Sequence, residues 1–191
     1  MWDFYIMKSV ERIHSARIAG VMGSIFVKLV FAYAVLTVAS KVSIQIGPVP
    51  LTMQTCAVGL IGALLGARMG FSAVGIWVMS GFLGIPVFAT PLHGLSAILG
   101  PTAGYLIAFP FAAALAGYLA QKGWSGKNLI KSFLNQYAVN LLAVLFGALW
   151  LSVTVNLEQA LSAGFVPFVI PAILKALLAA GTLCALGLCR K

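Results

Sequence analysis

The sequence predicts an all-α integral membrane protein built from six transmembrane helices. Of its 191 residues, 62% are hydrophobic and only 8% are charged, whereas a soluble domain carries about 25% charged residues. So few charges cannot cover a water-facing surface, which excludes a soluble enzyme, a nucleic-acid-binding protein and a disordered chain. The apolar residues also fall into separate runs divided by short stretches that contain Gly, Pro, Lys or Arg. We therefore expect a bundle of several membrane-spanning helices that is surrounded by membrane lipid.

The six predicted spans differ in length. A helix needs about 20 apolar residues to cross the hydrocarbon core. The second and third runs are shorter than this, so we expect neighbouring helices to shield them from lipid. Pro110 is expected to permit a kink in the fourth span, because proline removes a backbone donor. The runs cover residues 18–42, 51–65, 70–85, 101–119, 129–155 and 166–188.

The charged flanks predict how the chain sits in the membrane. An even number of spans places both termini on one side. Nine of the 12 Lys and Arg residues lie on the terminal side, whereas Lys41 alone lies on the other. Because cytoplasmic flanks carry the excess of Lys and Arg, we expect cytoplasmic termini in a bacterial inner membrane. Residues 1–17 then form a cytoplasmic or interfacial segment ahead of a membrane domain over 18–191, and Lys28 is either a flank or buried.

Two of the predicted outer loops are apolar although they are rich in Gly and Pro. Residues 43–50 and 86–100 contain only one Lys, Arg, Asp, Glu or His, namely His93. Non-helical backbone at a membrane surface is tolerated where it packs on protein or over a cavity. We expect these loops to cover a ligand site; re-entrant packing without a ligand is the alternative. The residues expected to shape the two lids are Pro48, Pro50, Pro86, Gly94 and Gly100.

The sequence offers little for catalysis. All three acidic residues lie outside the spans, so no pair of carboxylates can share a membrane site. His14 and His93 are predicted on opposite sides of the membrane and cannot bind one metal ion together. Glycine motifs that cradle phosphate are absent. We therefore predict no catalytic residue, no metal site, no cofactor and no enzymatic activity.

Lys175 is the most informative polar residue. It lies inside the sixth span, where a lysine costs about 2.5–3.5 kcal/mol on insertion scales, and no acid is placed to pair with it. Helical spacing puts it on one face with Ala172, Ala179 and Thr182, which suits the bundle interior. A cation that faces an outward cavity would receive a carboxylate; the alternative is snorkelling to the outer surface.

Other polar groups are predicted at the same depth. Thr52 and Gln54 are expected at the start of the second helix, and Tyr105 follows the start of the fourth. Asn140 lies deeper in the fifth span with Gln136, where hydrogen bonding between helices is the alternative role. Taken singly, each of these side chains is typical of a cap or an inter-helix bond. The common level of Thr52, Gln54 and Tyr105 with Lys175 favours a site.

Three motifs resemble those of the BioY family, the membrane-embedded substrate-capture (S) components of energy-coupling-factor (ECF) biotin transporters. They are the stretch PVPLTMQT at 48–55, GALLGARMG at 62–70, and PVFA at 86–89 followed by LGPTAGY at 99–105. The resemblance covers about residues 40–180. It implies an S-component-like bundle of six helices that captures biotin. A biotin precursor with a carboxylate, or a membrane subunit without a transport role, remains as an alternative.

The resemblance also implies roles for the candidate residues. Lys175 would neutralise the biotin carboxylate, and Phe88 and Tyr105 would pack against the apolar rings. The family's aspartate, three residues before this lysine, is Ala172 here, so Gln54 or Asn140 would have to hold the ureido group.

The resemblance extends to partners. The family is powered by a transmembrane coupling protein and two ATPases, and some members act without them, so self-association is the alternative. Small residues in the first span favour close contact with such a helix, with Ala19 and Gly23 as the expected interface.

The charge bias gives a prediction for the topology. In a background without native cysteines, single cysteines at Gln45 and His93 should react with an impermeant thiol reagent in intact cells, because both loops face outward. A cysteine at Gly126 should not react. The reverse labelling pattern would overturn the outward orientation of the site.

Overall fold

Long apolar helices form most of the computed structural model, which describes residues 24–46, 48–126 and 128–188. The elements, in order, are α1 (Ser24–Lys41), β1 (Ser43–Ile46), β2 (Val49–Thr52), α2 (Gln54–Leu65), α3 (Ala67–Phe82), α4 (Leu95–Leu99), α5 (Ala103–Gln121), α6 (Leu129–Thr154), α7 (Leu157–Gln159) and α8 (Val166–Leu183). One π-helical segment, Ala160–Phe165, joins α7 to α8, and another, Cys184–Leu188, follows α8.

The predicted bundle of six principal helices is confirmed, with α4 and α7 as short additions. Four segments within the described ranges are long and apolar enough to cross a membrane, namely Ser24–Lys41, Ala103–Gln121, Leu129–Thr154 and Leu157–Leu186. Helix α2 has 12 residues and α3 has 16, so each is short for a bilayer. Most of α2 is buried in the bundle, and α5 packs against α2, α3 and α6. The short helices are thus shielded by their neighbours, as the sequence predicts.

A β-hairpin between α1 and α2 was not predicted. Strands β1 and β2 pair antiparallel with Ser43 opposite Thr52 and Ile46 opposite Val49. The predicted second span began at residue 51 and is wrong there, since Leu51 and Thr52 belong to β2 and the helix begins at Gln54. Pairing two strands satisfies backbone groups that a non-helical segment would otherwise leave without partners.

Other boundaries also differ from the predicted ones. The third helix covers Ala67–Phe82 rather than residues 70–85, because the chain turns at Gly66, whose φ of 83° suits glycine. Residues 156–165, which separate the fifth and sixth predicted spans, are largely helical and lead into α8. Lys28 lies on α1 with an exposed side chain. Ala19, Gly23 and the segment 1–17 lie outside the described residues.

The buried face of α8 agrees with the prediction near Lys175 and departs from it further along. Ala172 and Ala179 are buried, but Thr182 is exposed, and its hydroxyl donates to Leu178 O at 2.8 Å. The buried stripe follows rows of i and i+4, which carry it from Ala179 to Leu183 and leave Thr182 outside.

The loop after α5 bears on the labelling experiment. Gly126 is buried with a φ of 67°, and its amide donates to Ser132 Oγ at 2.7 Å. A cysteine there would strain the backbone. The exposed Lys122, at the end of α5, is therefore the better position for the cysteine expected not to react.

Glycines let α5 and α6 approach closely where the aromatic residues of the bundle lie. A Cβ built on Gly147 of α6 would overlap the ring of Tyr105 on α5, and one on Gly104 of α5 would overlap Trp150 of α6. Because Gly147 carries no methyl group, the Tyr105 ring packs directly against α6. Gly75 of α3 is different, because a Cβ there meets no atom of the described residues within 4 Å.

We predict opposite effects for one alanine substitution at two helical glycines. Gly147→Ala should lower the thermal midpoint of the purified protein, since overpacking costs about 1–3 kcal/mol. Gly75→Ala should leave it unchanged or raise it, because alanine gains about 0.5–1 kcal/mol over glycine in a helix. Both variants gain the same helix propensity, so the difference isolates the clash with Tyr105. Equal midpoints for the two variants would contradict the packing described.

Candidate ligand-binding site

A cavity lies beneath the β-hairpin and the loop after α3. The empty space between its lining atoms is about 570 Å³, a figure that includes its open mouth. Its walls come from β2, the first turn of α2, the loop at 88–90, α5, α6 and α8. The lining residues are Val49, Pro50, Thr52, Gln54, Thr55, Phe88, Ala89, Thr90, Thr102, Tyr105, Leu106, Phe109, Asn140, Val144, Phe168, Ala172 and Lys175.

All six residues proposed from the sequence for ligand binding line this one cavity. They come from β2, four helices and the loop after α3. Depth level with Lys175 selected Thr52, Gln54 and Tyr105, whereas Asn140 was predicted deeper and Phe88 was selected by the family resemblance. The six are Thr52, Gln54, Phe88, Tyr105, Asn140 and Lys175.

The proposed lid residues are placed differently. Only Pro50 lines the cavity. Gly94 has a φ of 63°, and its amide donates to Gly81 O at 2.8 Å. Gly100 O accepts a hydrogen bond from Trp150 Nε1 at 3.0 Å. Pro86 O accepts one from Lys41 Nζ, and Pro48 is exposed in the hairpin turn. These four therefore shape or anchor the covering loops without lining the cavity.

Lys175 is 7% exposed. Its Nζ donates to Thr55 Oγ1 at 3.3 Å. The only carboxylate side chain in the described ranges belongs to Glu158, which is exposed. The cavity wall therefore carries a positive charge whose only hydrogen-bond partner in the described structure is a neutral hydroxyl. Sequence reasoning missed Thr55, although it follows Gln54 directly at the start of α2.

Gln54 presents an unpartnered donor. Its Oε1 accepts from Thr52 Oγ1 at 2.9 Å, and its own backbone amide donates to the same hydroxyl at 3.3 Å. Thr52 therefore fixes the orientation of the Gln54 amide. The Gln54 Nε2 atom is buried without a partner. A buried donor that lacks a hydrogen bond costs about 1–3 kcal/mol. A ligand acceptor in the cavity would satisfy it.

Asn140 presents the complementary group. Its Nδ2 donates to Gln136 O, within the same helix, at 2.8 Å. Because the amide nitrogen must face that carbonyl, the Asn140 oxygen is left as an acceptor on the cavity wall. Gln136 has a different role, since its Nε2 donates to Gly59 O of α2 at 3.3 Å. This is the bond between helices that the sequence analysis gave as the alternative.

Aromatic rings form the apolar walls of the cavity. The Tyr105 hydroxyl donates to Gly164 O at 2.6 Å, so this residue offers its ring rather than a free hydroxyl. Phe168 lies beside it with ring centroids 5.9 Å apart. Across the cavity, Phe88 packs edge to face against Trp77 at 5.2 Å and Phe82 at 5.7 Å.

The arrangement suits binding rather than bond chemistry. It combines one cation, one free amide donor, one amide acceptor and aromatic walls. Within the described residues, no group of three or more His, Cys, Asp or Glu side chains could hold a metal ion. The complementary ligand is a small molecule with an apolar body, one carboxylate and a polar group that both donates and accepts hydrogen bonds.

The comparisons with known proteins agree on one family. The family model described as "BioY family" matches residues 12–189. A relative from Pyrococcus horikoshii, named "Probable biotin transporter BioY", is 41% identical over 151 residues, which are 78% of this chain and 88% of the relative. "Biotin transporter BioY2" of Lactococcus lactis is 39% identical over 148 residues, 76% of this chain and 80% of the relative.

A solved structure shares the fold. It is described as the "S-component for biotin from an ECF-type ABC transporter". The alignment has a TM-score of 0.77 at 25% sequence identity, and it covers 88% of this chain and 93% of that one.

Proposed function

Because the chain belongs to the BioY family, we propose that it captures biotin within the membrane as the substrate-binding component of an ECF-type uptake system. The chain is a multi-pass membrane protein of a transporter family. The proposed role involves no covalent chemistry and no cofactor, and biotin is its transported ligand. With cytoplasmic termini, the covered cavity would open to the outside of the cell.

The observation that carries this proposal is that Lys175 and Gln54 line the same cavity. Lys175 is a buried cation with no carboxylate partner among the described residues, and Gln54 has a buried donor with no partner. Biotin offers a carboxylate for the first and a ureido carbonyl for the second. Each buried polar group would then gain the partner that it lacks.

We place the remaining parts of biotin by the same reasoning. The ureido N–H groups are donors, and Asn140 presents an acceptor within the same cavity. The fused rings are largely apolar and would lie between Phe88 and Tyr105. Ala172 lines the cavity beside this site, so neutral amides take over the hydrogen bonding for which the family pattern has an aspartate.

Ala172 also favours a second candidate ligand. Without an acid at this position, the described cavity wall carries a single formal charge, that of Lys175. A biotin precursor that bears a carboxylate therefore meets the same charge complement as biotin. Competition between labelled biotin and such precursors separates the two ligands, because only the cognate one should displace label at comparable concentrations.

We predict that Lys175→Ala weakens biotin binding by at least about tenfold, which corresponds to about 1.4 kcal/mol. A carboxylate that meets an unpaired, buried ammonium should contribute more than a surface ion pair's roughly 0–1 kcal/mol. Biotin methyl ester lacks the charge, so its binding should change much less. Binding of both ligands to the purified protein is the measurement, with Lys122→Ala as the surface control. Equal losses for acid and ester would show that Lys175 does not receive the carboxylate.

The energy source is proposed to lie in other proteins. No acid lies within a predicted span and no phosphate-binding loop is present, so concentration of biotin against a gradient needs a coupling protein and its two ATPases. The exposed apolar face of α1, which includes Phe26, Val30 and Phe31, supports docking along the first helix. Self-association on the same face is the alternative arrangement.

For the coupling partner, we predict that Ala19→Leu and Gly23→Leu reduce ATP-dependent biotin uptake while biotin binding stays within about twofold of wild type. Bulky side chains prevent the close approach that small residues allow between helices. Gly75→Leu, on α3, should leave both uptake and binding unchanged. Accumulation of biotin by this chain alone, in sealed vesicles without ATP, would contradict the need for a partner.

A further inference from the structure

The segment 86–88 covers the cavity without forming a helix or a strand. Phe88 at its end lines the cavity and is 2% exposed. A segment outside regular structure must find other donors for its carbonyl groups when water cannot reach them. The source of those donors therefore decides how this wall of the cavity is held in place.

Three consecutive carbonyls of this segment accept hydrogen bonds from the last turn of α1. Lys41 Nζ donates to Pro86 O at 3.2 Å and to Phe88 O at 2.8 Å. Ser40, which is fully buried, has one hydroxyl proton to donate to Val87 O at 2.6 Å or to Thr37 O of its own helix at 2.7 Å. Two adjacent side chains at the end of α1 thus form hydrogen bonds with a segment that lies 45–47 residues later in the chain.

The same turn of α1 also carries the second cover of the cavity. Strand β1 begins at Ser43, two residues after Lys41. The hairpin is closed against this junction, because Met53 N donates to Val42 O at 3.1 Å. Pro50 and Thr52 of the hairpin line the same cavity as Phe88. One helix end therefore anchors both covers, the first through hydrogen bonds and the second through the chain itself.

Besides the buried Ala32 and Leu36, two side-chain hydrogen bonds join the rest of α1 to α3. Trp77 Nε1 of α3 donates to Thr37 Oγ1 at 3.0 Å, and the Tyr33 hydroxyl lies 2.8 Å from Ser80 Oγ. Trp77 is also the ring against which Phe88 packs. A displacement of α1 therefore acts on Phe88 by two routes, through the carbonyl contacts and through Trp77.

We propose that Ser40 and Lys41 are positioning residues that hold the cavity closed and make its opening depend on the position of α1. In this role Lys41 orders the Phe88 wall through backbone carbonyls and does not contact the ligand. This explains why a lysine occurs on the predicted outer side, where the charge bias leaves only one. The inference deepens the proposed function and, for its ligand experiment, rests on it.

The test compares Lys41→Met with Lys28→Met in the full-length purified protein. Methionine keeps an apolar stem at position 41 but removes the ammonium donor. Lys28 is exposed on the same helix, about 20 Å away at 1.5 Å per residue. Dissociation of labelled biotin should be at least about fivefold faster in Lys41→Met, since a bond to a charged donor is worth more than a neutral one. Lys28→Met should remain within about twofold of wild type, and Lys41→Arg should restore slow dissociation.

Hydrogen exchange separates this role from a general loss of stability. Without any ligand, amide exchange over 86–90 should rise in Lys41→Met, while exchange in the middle of α5 and the thermal midpoint stay close to wild type. Wild-type exchange over 86–90 in Lys41→Met, together with unchanged dissociation, would overturn the proposal. If the wild-type protein fails to bind biotin, the proposed function is wrong. Hydrogen exchange measured without ligand still decides whether Lys41 holds the 86–88 segment in place.

Discussion

A lysine cation buried without a carboxylate partner is the constraint around which the rest of the site is arranged. An ammonium inside a membrane span is costly, and the hydrogen-bond partner that the described structure gives Lys175 is the neutral hydroxyl of Thr55. Small residues on α8 let the lysine enter the bundle, and the first turn of α2 supplies the hydroxyl. Such a charge is tolerable next to a cavity that admits an anion, and β2 and the loop at 88–90 form part of that cavity's wall.

The sequence was sufficient for those parts of the molecule that depend on depth in the membrane. Apolar runs mark helices because the bilayer leaves the backbone few other choices, and the principal helices were predicted to within a few residues apart from the start of the first, which lies outside the described residues. Gln54 was predicted level with Lys175 and Asn140 deeper in its span, and the structure brings all three to one cavity. Their roles in ligand binding stay predictions.

The sequence was insufficient where the backbone itself is the partner. Ser40 and Lys41 contact carbonyl groups of residues 86–88, and a carbonyl has no signature in the sequence. From composition alone Lys41 was no more than a flanking charge. The hairpin was missed for a related reason: residues 43–50 carry the Gly and Pro of a loop, residues 51 and 52 run on into the next apolar stretch, and only the pairing of β1 with β2 reveals the strands. Thr182 was misplaced because a seven-residue spacing ignores the drift of the buried stripe along α8.

A ligand that binds only the closed cavity also stabilises it, by an amount that grows with the ratio of its concentration to its dissociation constant. Tight binding therefore slows release of the ligand. The free energy that opens the cavity has to act where it disturbs the fold least. Local opening is easiest in elements with few buried contacts. Helix α1 fits this condition, since only 17% of its spanning window is buried compared with 61% for α5. Among the four long spans in the described part of the chain, the helix that carries both covers thus has the smallest buried share. In the role proposed for Ser40 and Lys41, a displacement of α1 would open the cavity while α2, α5, α6 and α8 keep the binding groups in place.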